Sequence, residues 1–301
     1  MDSLKIGMIG LDTSHVTAFA KLINDVNDDH HVPGGRVTIA YPGGSPDFPL
    51  SINRVEGFTE ELRVQYGVEI VATPEEVAER CDAILLESAD GRVHLEQFAR
   101  IASYGKPVFI DKPLALTAAD AEEIGRLAVQ HGIPVMSASS LRYTDIMNIE
   151  IEREDGGAII GADVHGPMSV EPTQSYYFWY GIHMAEMLFA IMGHGCEEVC
   201  AVSSESHDLI TGRWKDGRIG TLRGNRSGSY QFGALVHRTG GSTYVDASSP
   251  TKPAYAGLLE QVMLMFVTGR PSLQWEDTVA IIRFLEKAEE SRAKGTAVRF
   301  N

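Results

Sequence analysis

Along residues 4–138, short apolar runs alternate with segments whose apolar positions recur every three or four residues. Leu4–Ile9 reads as a strand, and behind it Val16, Phe19, Ala20 and Ile23 share one helix face. Val37–Tyr41, Val68–Ala72, Ala83–Glu87, Pro107–Ile110 and Pro134–Ala138 are mostly continuous apolar runs, which suits strands covered on both faces of a parallel sheet. Helix starts between them are marked. Thr73-Pro74-Glu75-Glu76 joins an N-cap, a first-turn proline and a capping-box glutamate; Thr117 with Asp120 repeats the device, and Gly132 closes that second helix. Six strands with helical crossovers predict an α/β, doubly wound, Rossmann-like domain over residues 1–138.

The pattern changes after Ser139. Ile146 and Ile149 mark a helix, Asp155-Gly156-Gly157 stops it, and Ala158–Val164 follows as a strand. Strand candidates then cluster between Glu198 and Asp246. Asp216-Gly217 is a two-residue hairpin turn between Ile210–Trp214 and Arg218–Leu222, and Gly240-Gly241 forms another turn. Helices near Tyr255–Thr268 and Asp277–Lys294 complete an α+β domain with a mostly antiparallel sheet, residues 139–301. With too few helices to cover both faces of that sheet, a homodimer or higher even-numbered assembly is expected.

Composition narrows the partners. Of 301 residues 44% are apolar and 22% charged, as in ordinary globular proteins, and 41 acids against 26 bases give a net charge of -15. That balance, with no basic run, excludes nucleic acid and anionic lipid as expected partners. Met187–Met192 and Val262–Val267 fall far short of the roughly 20 residues a membrane span needs, and Leu4–Ile9 lacks the flanks of a signal peptide, so a cytoplasmic location is expected. Cys81, Cys196 and Cys200 are too few and too irregular for a disulfide framework and read as reduced.

After the first strand a dinucleotide-binding loop needs glycine at three places. The register here is Gly10-Leu11-Asp12-Thr13-Ser14-His15, in which Gly10 fits, Asp12 takes the second place and His15 the third. Asp12 puts a carboxylate where pyrophosphate meets the helix N-terminus, and Asp12, Thr13 or Ser14 could equally cap that helix. After the second strand, Tyr41-Pro42-Gly43-Gly44-Ser45 carries no acid for a ribose hydroxyl; Ser45 there tilts the cofactor expectation from NAD toward NADP.

The segment Gly105-Lys106-Pro107-Val108-Phe109-Ile110-Asp111-Lys112-Pro113-Leu114-Ala115 sets a Lys-Pro at the carboxyl end of a parallel strand. It resembles the Glu-Lys-Pro signature of the Gfo/Idh/MocA oxidoreductase family (glucose-fructose oxidoreductase, inositol dehydrogenase and relatives), with Asp111 in place of Glu. The resemblance extends to His94, to Ser139-Ser140-Leu141-Arg142-Tyr143, and to Gly181-Ile182-His183-Met184-Ala185-Glu186. In the family that last motif carries a further acid, replaced here by Trp179. What the resemblance implies is an NAD(P)-dependent oxidoreductase acting on a hydroxyl or carbonyl carbon of a small sugar, polyol or related metabolite, in a cleft between the domains. Lys112 and His183 become the catalytic candidates. Gly10, Asp12, Thr13, Ser14, His15, Ser45 and Asp111 become the cofactor-binding ones, and Arg142, Tyr143, Trp179 and Glu186 the substrate-binding ones.

The chemistry is coherent, because alcohol oxidation needs a base for the hydroxyl proton and a cation at the oxygen. Residues Tyr176–Tyr180 read equally as a sugar-stacking wall or a packed loop. Two other readings stand beside this one: a non-catalytic metabolite-binding or regulatory relative, motivated by Asp12, His15 and Trp179, and a metal-dependent enzyme. No metal is expected from the sequence, since His183 and Glu186 lack an evident third ligand. If Glu197–Val202 is a strand, Cys196 and Cys200 stand about 13 Å apart and cannot share a zinc with His194.

Overall fold

The computed structural model describes residues 3–300. The chain forms two compact units. One holds the chain up to Ala115 with Ala119–Ala138 and Tyr255–Trp275; the other holds Leu116–Ala118, Ser139–Ala254 and the chain from Glu276 onward.

In the first unit the strands are β1 (Leu4–Ile9), β2 (Gly35–Tyr41), β3 (Glu69–Ile70), β4 (Ala83–Leu86), β5 (Val108–Ile110) and β6 (Val135–Met136). They pair in parallel in the order β3-β2-β1-β4-β5-β6, so the strand order reverses between β1 and β4. In such sheets ligands bind at the carboxyl edge of this switch point. β3 and β6 are shorter than their apolar runs predicted. The crossovers carry α1 (His15–Asn24), α2 (Pro49–Tyr66), α3 (Pro74–Arg80), α4 (His94–Ile101) and α5 (Ala118–His131). The expected capping box forms at α3, where Thr73 accepts from the Glu76 backbone and Glu76 accepts from the Thr73 backbone. Val16, Phe19, Ala20 and Ile23 are buried on one face of α1, as their spacing predicts.

α2 is absent from the apolar pattern for a physical reason. Only Ser51 and Leu62 of its residues are buried, so the helix has almost no apolar stripe to read.

The second unit contains α6 (Asp145–Glu152), β7 (Ile159–Pro167), α7 (Gly181–Met192), β8 (Cys196–Ser203), β9 (His207–Trp214), β10 (Ile219–Asn225), β11 (Gly233–Arg238) and β12 (Gly241–Val245). Most of α9 (Trp275–Lys294) and all of β13 (Val298–Arg299) also lie there, whereas α8 (Ala254–Thr268) falls from Tyr255 onward in the first unit. The sheet order is β12-β11-β7-β10-β9-β8-β13, antiparallel except for the β7–β10 pair. The β9–β10 hairpin turns through Lys215-Asp216-Gly217, one residue longer than the two-residue turn expected: Trp214 and Arg218 close the ladder, and Gly217 takes the left-handed conformation at φ +88°. α7 packs on β7 and β10, while Phe284 and Ser291 of α9 meet Phe189 and the Ala201 N–H on the same side. Val202, Leu209, Ile219 and Tyr244 are exposed on the opposite face.

Among the described residues no helix is long and apolar enough to cross a membrane. All three cysteines are free thiols, and Cys196 lies in β8 as its strand reading required.

Candidate active site

Parallel register builds the first cluster. Ile9 pairs with Leu86 and Leu86 with Ile110, and the next residues continue the ladder through Glu87 N–H to the Ile9 carbonyl (2.7 Å) and Asp111 N–H to the Leu86 carbonyl (2.8 Å). Gly10, Glu87 and Asp111 are therefore brought into line at the carboxyl edge of three adjacent strands. Gly10 sits at φ +87°, and a Cβ there would lie 2.2 Å from Ser88 Oγ, so the first glycine of the fingerprint is required by both conformation and space.

Asp12 is fully buried. Its carboxylate accepts from the Ala89 N–H (2.8 Å) and the Ser51 hydroxyl (2.5 Å). Burial pushes the carboxyl above its ordinary range, against the pull of those two hydrogen bonds. The capping reading of this loop is narrowed: Asp12 is bonded elsewhere and Ser14, at the N-cap of α1, makes no side-chain cap bond, while Thr13 Oγ1 accepts from the His15 N–H at 3.5 Å. Ser14 is exposed, and the N–H groups of Thr13 and Ser14 form no hydrogen bond among the described residues. An anion could be held there by the N-terminus of α1.

Ser45 is buried, donating its N–H to Ser51 Oγ at 2.8 Å. Nothing in the sequence pattern singles out Ser51 or the neighbouring Arg54, whose charge acts on Asp12. A weak helical pattern hid both.

His15 Nδ1 and Asp111 Oδ2 are 2.8 Å apart, with the imidazole stacked on Phe19 and edge-on to Tyr255. Burial raises the Asp111 carboxyl, but His15 and Lys112 outweigh it and hold it at about 2. Glu87 was also passed over. It is fully buried, neither carboxylate oxygen has a hydrogen-bond partner, and burial together with Asp111 lifts it well above the usual carboxylate range. A charged residue closing the apolar run Ala83–Leu86 at a ligand-binding edge was the signal available. Lys112 follows Asp111 directly, and its bond to Pro113 is cis. His94, by contrast, is buried and bonded to the carbonyls of Ser88, Pro113 and Leu114, a structural role.

The second cluster lies wholly in the second unit. A short 3-10 turn at Ser140–Tyr143 carries Arg142 beside α7. Arg142 Nε donates to Glu186 Oε2 at 2.5 Å, both side chains being buried, and Arg142 Nη2 is left without a partner. Burial pushes Glu186 up, opposed by the Arg142 guanidinium and its hydrogen bond. One turn earlier His183 Nδ1 lies 2.7 Å from Ser139 Oγ, with its ring edge-on to Tyr180 and Phe232. The aromatic run divides. Tyr177 and Phe178 are core, Tyr177 bonding Asp208, and Tyr176 stacks under Arg292 (3.6 Å); Trp179 and Tyr180 are half-buried, Tyr180 against His183.

Fold and site edge thus define a Rossmann-type α/β protein with an appended mixed-sheet unit. Residues 50–139 match the model of the Gfo/Idh/MocA family, described as an oxidoreductase family with an NAD-binding Rossmann fold. That match bears out the resemblance carried by Asp111-Lys112-Pro113.

Among solved structures the chain is similar to scyllo-inositol dehydrogenase from Lactobacillus casei with bound NAD(H) and scyllo-inositol (15% identity, 99% of each chain, TM-score 0.82). It is also similar to myo-inositol 2-dehydrogenase from Lactobacillus plantarum (18% identity, 100% of each chain, TM-score 0.80) and to a probable dehydrogenase from Thermotoga maritima (20% identity, 98% of each chain, TM-score 0.80). At these identities the likeness is one of fold. No curated protein matches the sequence.

Proposed function

We propose that the protein is an NAD(P)-dependent oxidoreductase acting on a CH–OH carbon of a small polyol or sugar, an inositol-like ring among them. The observation that carries this reading is Lys112 at the carboxyl end of β5, inside the segment that matches an NAD-binding oxidoreductase family. Gly10, Thr13, Ser14 and His15 would hold the dinucleotide, with the unbonded N–H groups at α1 receiving its phosphates. The lack of an acid in Tyr41–Ser45 favours NADP over NAD. When bound, the nicotinamide supplies the hydride acceptor or donor.

His183 acts as the proton acceptor and donor at Nε2. With Nδ1–H donated to Ser139 Oγ, the Nε2 lone pair makes the neutral ring a base; the imidazolium formed when Nε2 takes the substrate hydroxyl proton, still donating through Nδ1–H, is the acid of the reverse reaction. Lys112 holds the reacting oxygen by a charge-assisted hydrogen bond. Arg142, paired to Glu186, positions the start of α7 and with it His183, while Tyr143 and Trp179 contribute to the substrate side. The open face bearing Leu209, Ile219 and Tyr244 supports an even-numbered homo-oligomer, to be checked by light scattering.

Calorimetry with NAD and NADP, oxidised and reduced, tests the cofactor. Nicotinamide absorbance with a panel of inositols and sugars then tests the reaction. His183→Ala is expected to lower kcat by about 10²–10⁴-fold with little change in dinucleotide affinity. Equal activity of His183→Ala and wild type would remove the assignment.

The buried, doubly bonded Asp12 in the glycine loop favours a second reading, a metabolite-binding relative without hydride chemistry. Failure to bind all four dinucleotide forms would favour it.

A further inference from the structure

The parallel ladder places three potential metal-ligating side chains together at the β1–β4 switch point. One nitrogen of His15 and one oxygen each of Glu87 and Asp111 lie within 4.8 Å of one another, although the residues are far apart in sequence. Glu87 is the independent pointer to a ligand: it is wholly buried, and both carboxylate oxygens lack any hydrogen-bond partner. A buried carboxyl group in that condition carries a desolvation cost that no hydrogen bond offsets. Neighbouring charge has the sign a cation needs. Asp12 and Asp111 flank Glu87, Lys112 acts on Glu87 and Arg54 on Asp12, so three carboxylates still outnumber the two neighbouring cations. The His15 ring is fixed between Phe19 and Tyr255, and its side chain is 12% exposed, giving the site an edge on solvent.

We propose that His15, Glu87 and Asp111 form a binding site for one divalent first-row transition metal ion of the Zn²⁺ and Co²⁺ type. One imidazole and two carboxylates are the ligand types such ions take. Ligand atoms around a tetrahedral zinc stand about 3.3 Å apart, so side-chain rotation within the present cluster closes the site. Three protein ligands leave a coordination position open, the composition of a catalytic zinc site and not of a structural one. The site shares His15 with the residues proposed to hold the dinucleotide, but it does not rest on the dehydrogenase reading.

The test uses the full chain, stripped with a chelator and titrated with Zn²⁺ alone by calorimetry, with no dinucleotide present. Co²⁺ substitution, read by visible ligand-field bands, is a second readout. One equivalent of Zn²⁺ per chain is expected, with visible bands for Co²⁺ and a metal-dependent rise in Tm. Glu87→Gln and Asp111→Asn should each weaken Zn²⁺ binding by at least about tenfold. Asp163→Asn, which disturbs the surface His237–Asp163 pair, should leave it unchanged. Metal-free Tm shows whether each variant is folded. If Asp111→Asn does not fold, His15→Asn takes its place. Absence of stoichiometric Zn²⁺ binding, or binding that survives Glu87→Gln and falls in Asp163→Asn, would overturn the site. Loss of dinucleotide binding with metal binding intact would count against the dehydrogenase reading alone.

Discussion

Each unit buries a glutamate in its cluster of polar side chains, and the two are treated in opposite ways. Glu186 in α7 meets Arg142 at 2.5 Å, and a guanidinium offsets much of its desolvation. Glu87, at the end of β4, is equally buried and has no hydrogen-bond partner at either oxygen. The first arrangement holds structure: Arg142 ties the 3-10 turn after Ser139 to the helix that carries His183. The second holds nothing in the protein alone, and so marks a place for something else.

That contrast sets the largest expected effect. Glu186→Leu leaves the Arg142 guanidinium buried without its partner and should destabilise the protein by about 3–5 kcal/mol in urea unfolding. Glu87→Leu removes an unpartnered polar group of similar shape and should stabilise the metal-free protein by about 1–3 kcal/mol. The double variant Arg142→Met with Glu186→Leu should recover most of the first loss, because a well-packed apolar pair can replace a buried ion pair. If Glu87→Leu destabilised as strongly as Glu186→Leu, the two glutamates would share a structural role and the contrast would collapse.

How far the sequence foresaw these two clusters depends on what local pattern can carry. Lys112 and His183 stand out as candidates because each belongs to a short motif, and Gly10 is legible because a tight turn leaves a local trace. The β9–β10 hairpin was legible from Asp216-Gly217 for the same reason. Glu87 reads as the last residue of a strand; a charge closing an apolar run points to a ligand-binding edge, but nothing local tells a strand-end acid facing water from one beside two other carboxylates. Its neighbours Asp12 and Asp111 lie 75 and 24 residues away (87 minus 12, 111 minus 87), and only the strand order brings them together. Ser51 was illegible because α2 lies exposed along most of its length. The destination of the Asp12 carboxylate followed from Ser51, so the capping alternative could not be dismissed in advance.

A smaller effect sharpens the picture at Asp12. Asp12→Ala strips the acceptor from a buried backbone N–H, that of Ala89, and from the Ser51 hydroxyl, which itself accepts from Ser45. The expected loss is about 1–3 kcal/mol, measured by urea unfolding. Asp12→Asn retains an acceptor for Ala89 and should lose less. Equal stability of all three proteins would show that the loop does not depend on this carboxylate, and would return Asp12 to the role of a charge facing the cofactor.

The smallest effect distinguishes the units by their thiols. Burial raises Cys81 in the first unit to about 11 and Cys196 in the second to about 12, from an ordinary value of 9.0. Folded chains therefore keep both protons where unfolded chains have lost them. The stability this contributes is fully present below pH 9 and falls as pH rises toward 11 for Cys81 and toward 12 for Cys196. Each thiol adds at most about 1.4 kcal/mol per pH unit inside its window. Other groups titrate there too, so the contribution is read as a difference: Cys81→Ala and Cys196→Ala should each show a shallower fall in urea-derived stability than wild type. Cys200, only half-buried in β8, should react first with a disulfide reagent at pH 8, ahead of both others. Faster labelling of Cys81 than of Cys200 would mean that the first unit opens locally around β1, where Gly7 packs against Cys81, more readily than the outer strands of the second unit.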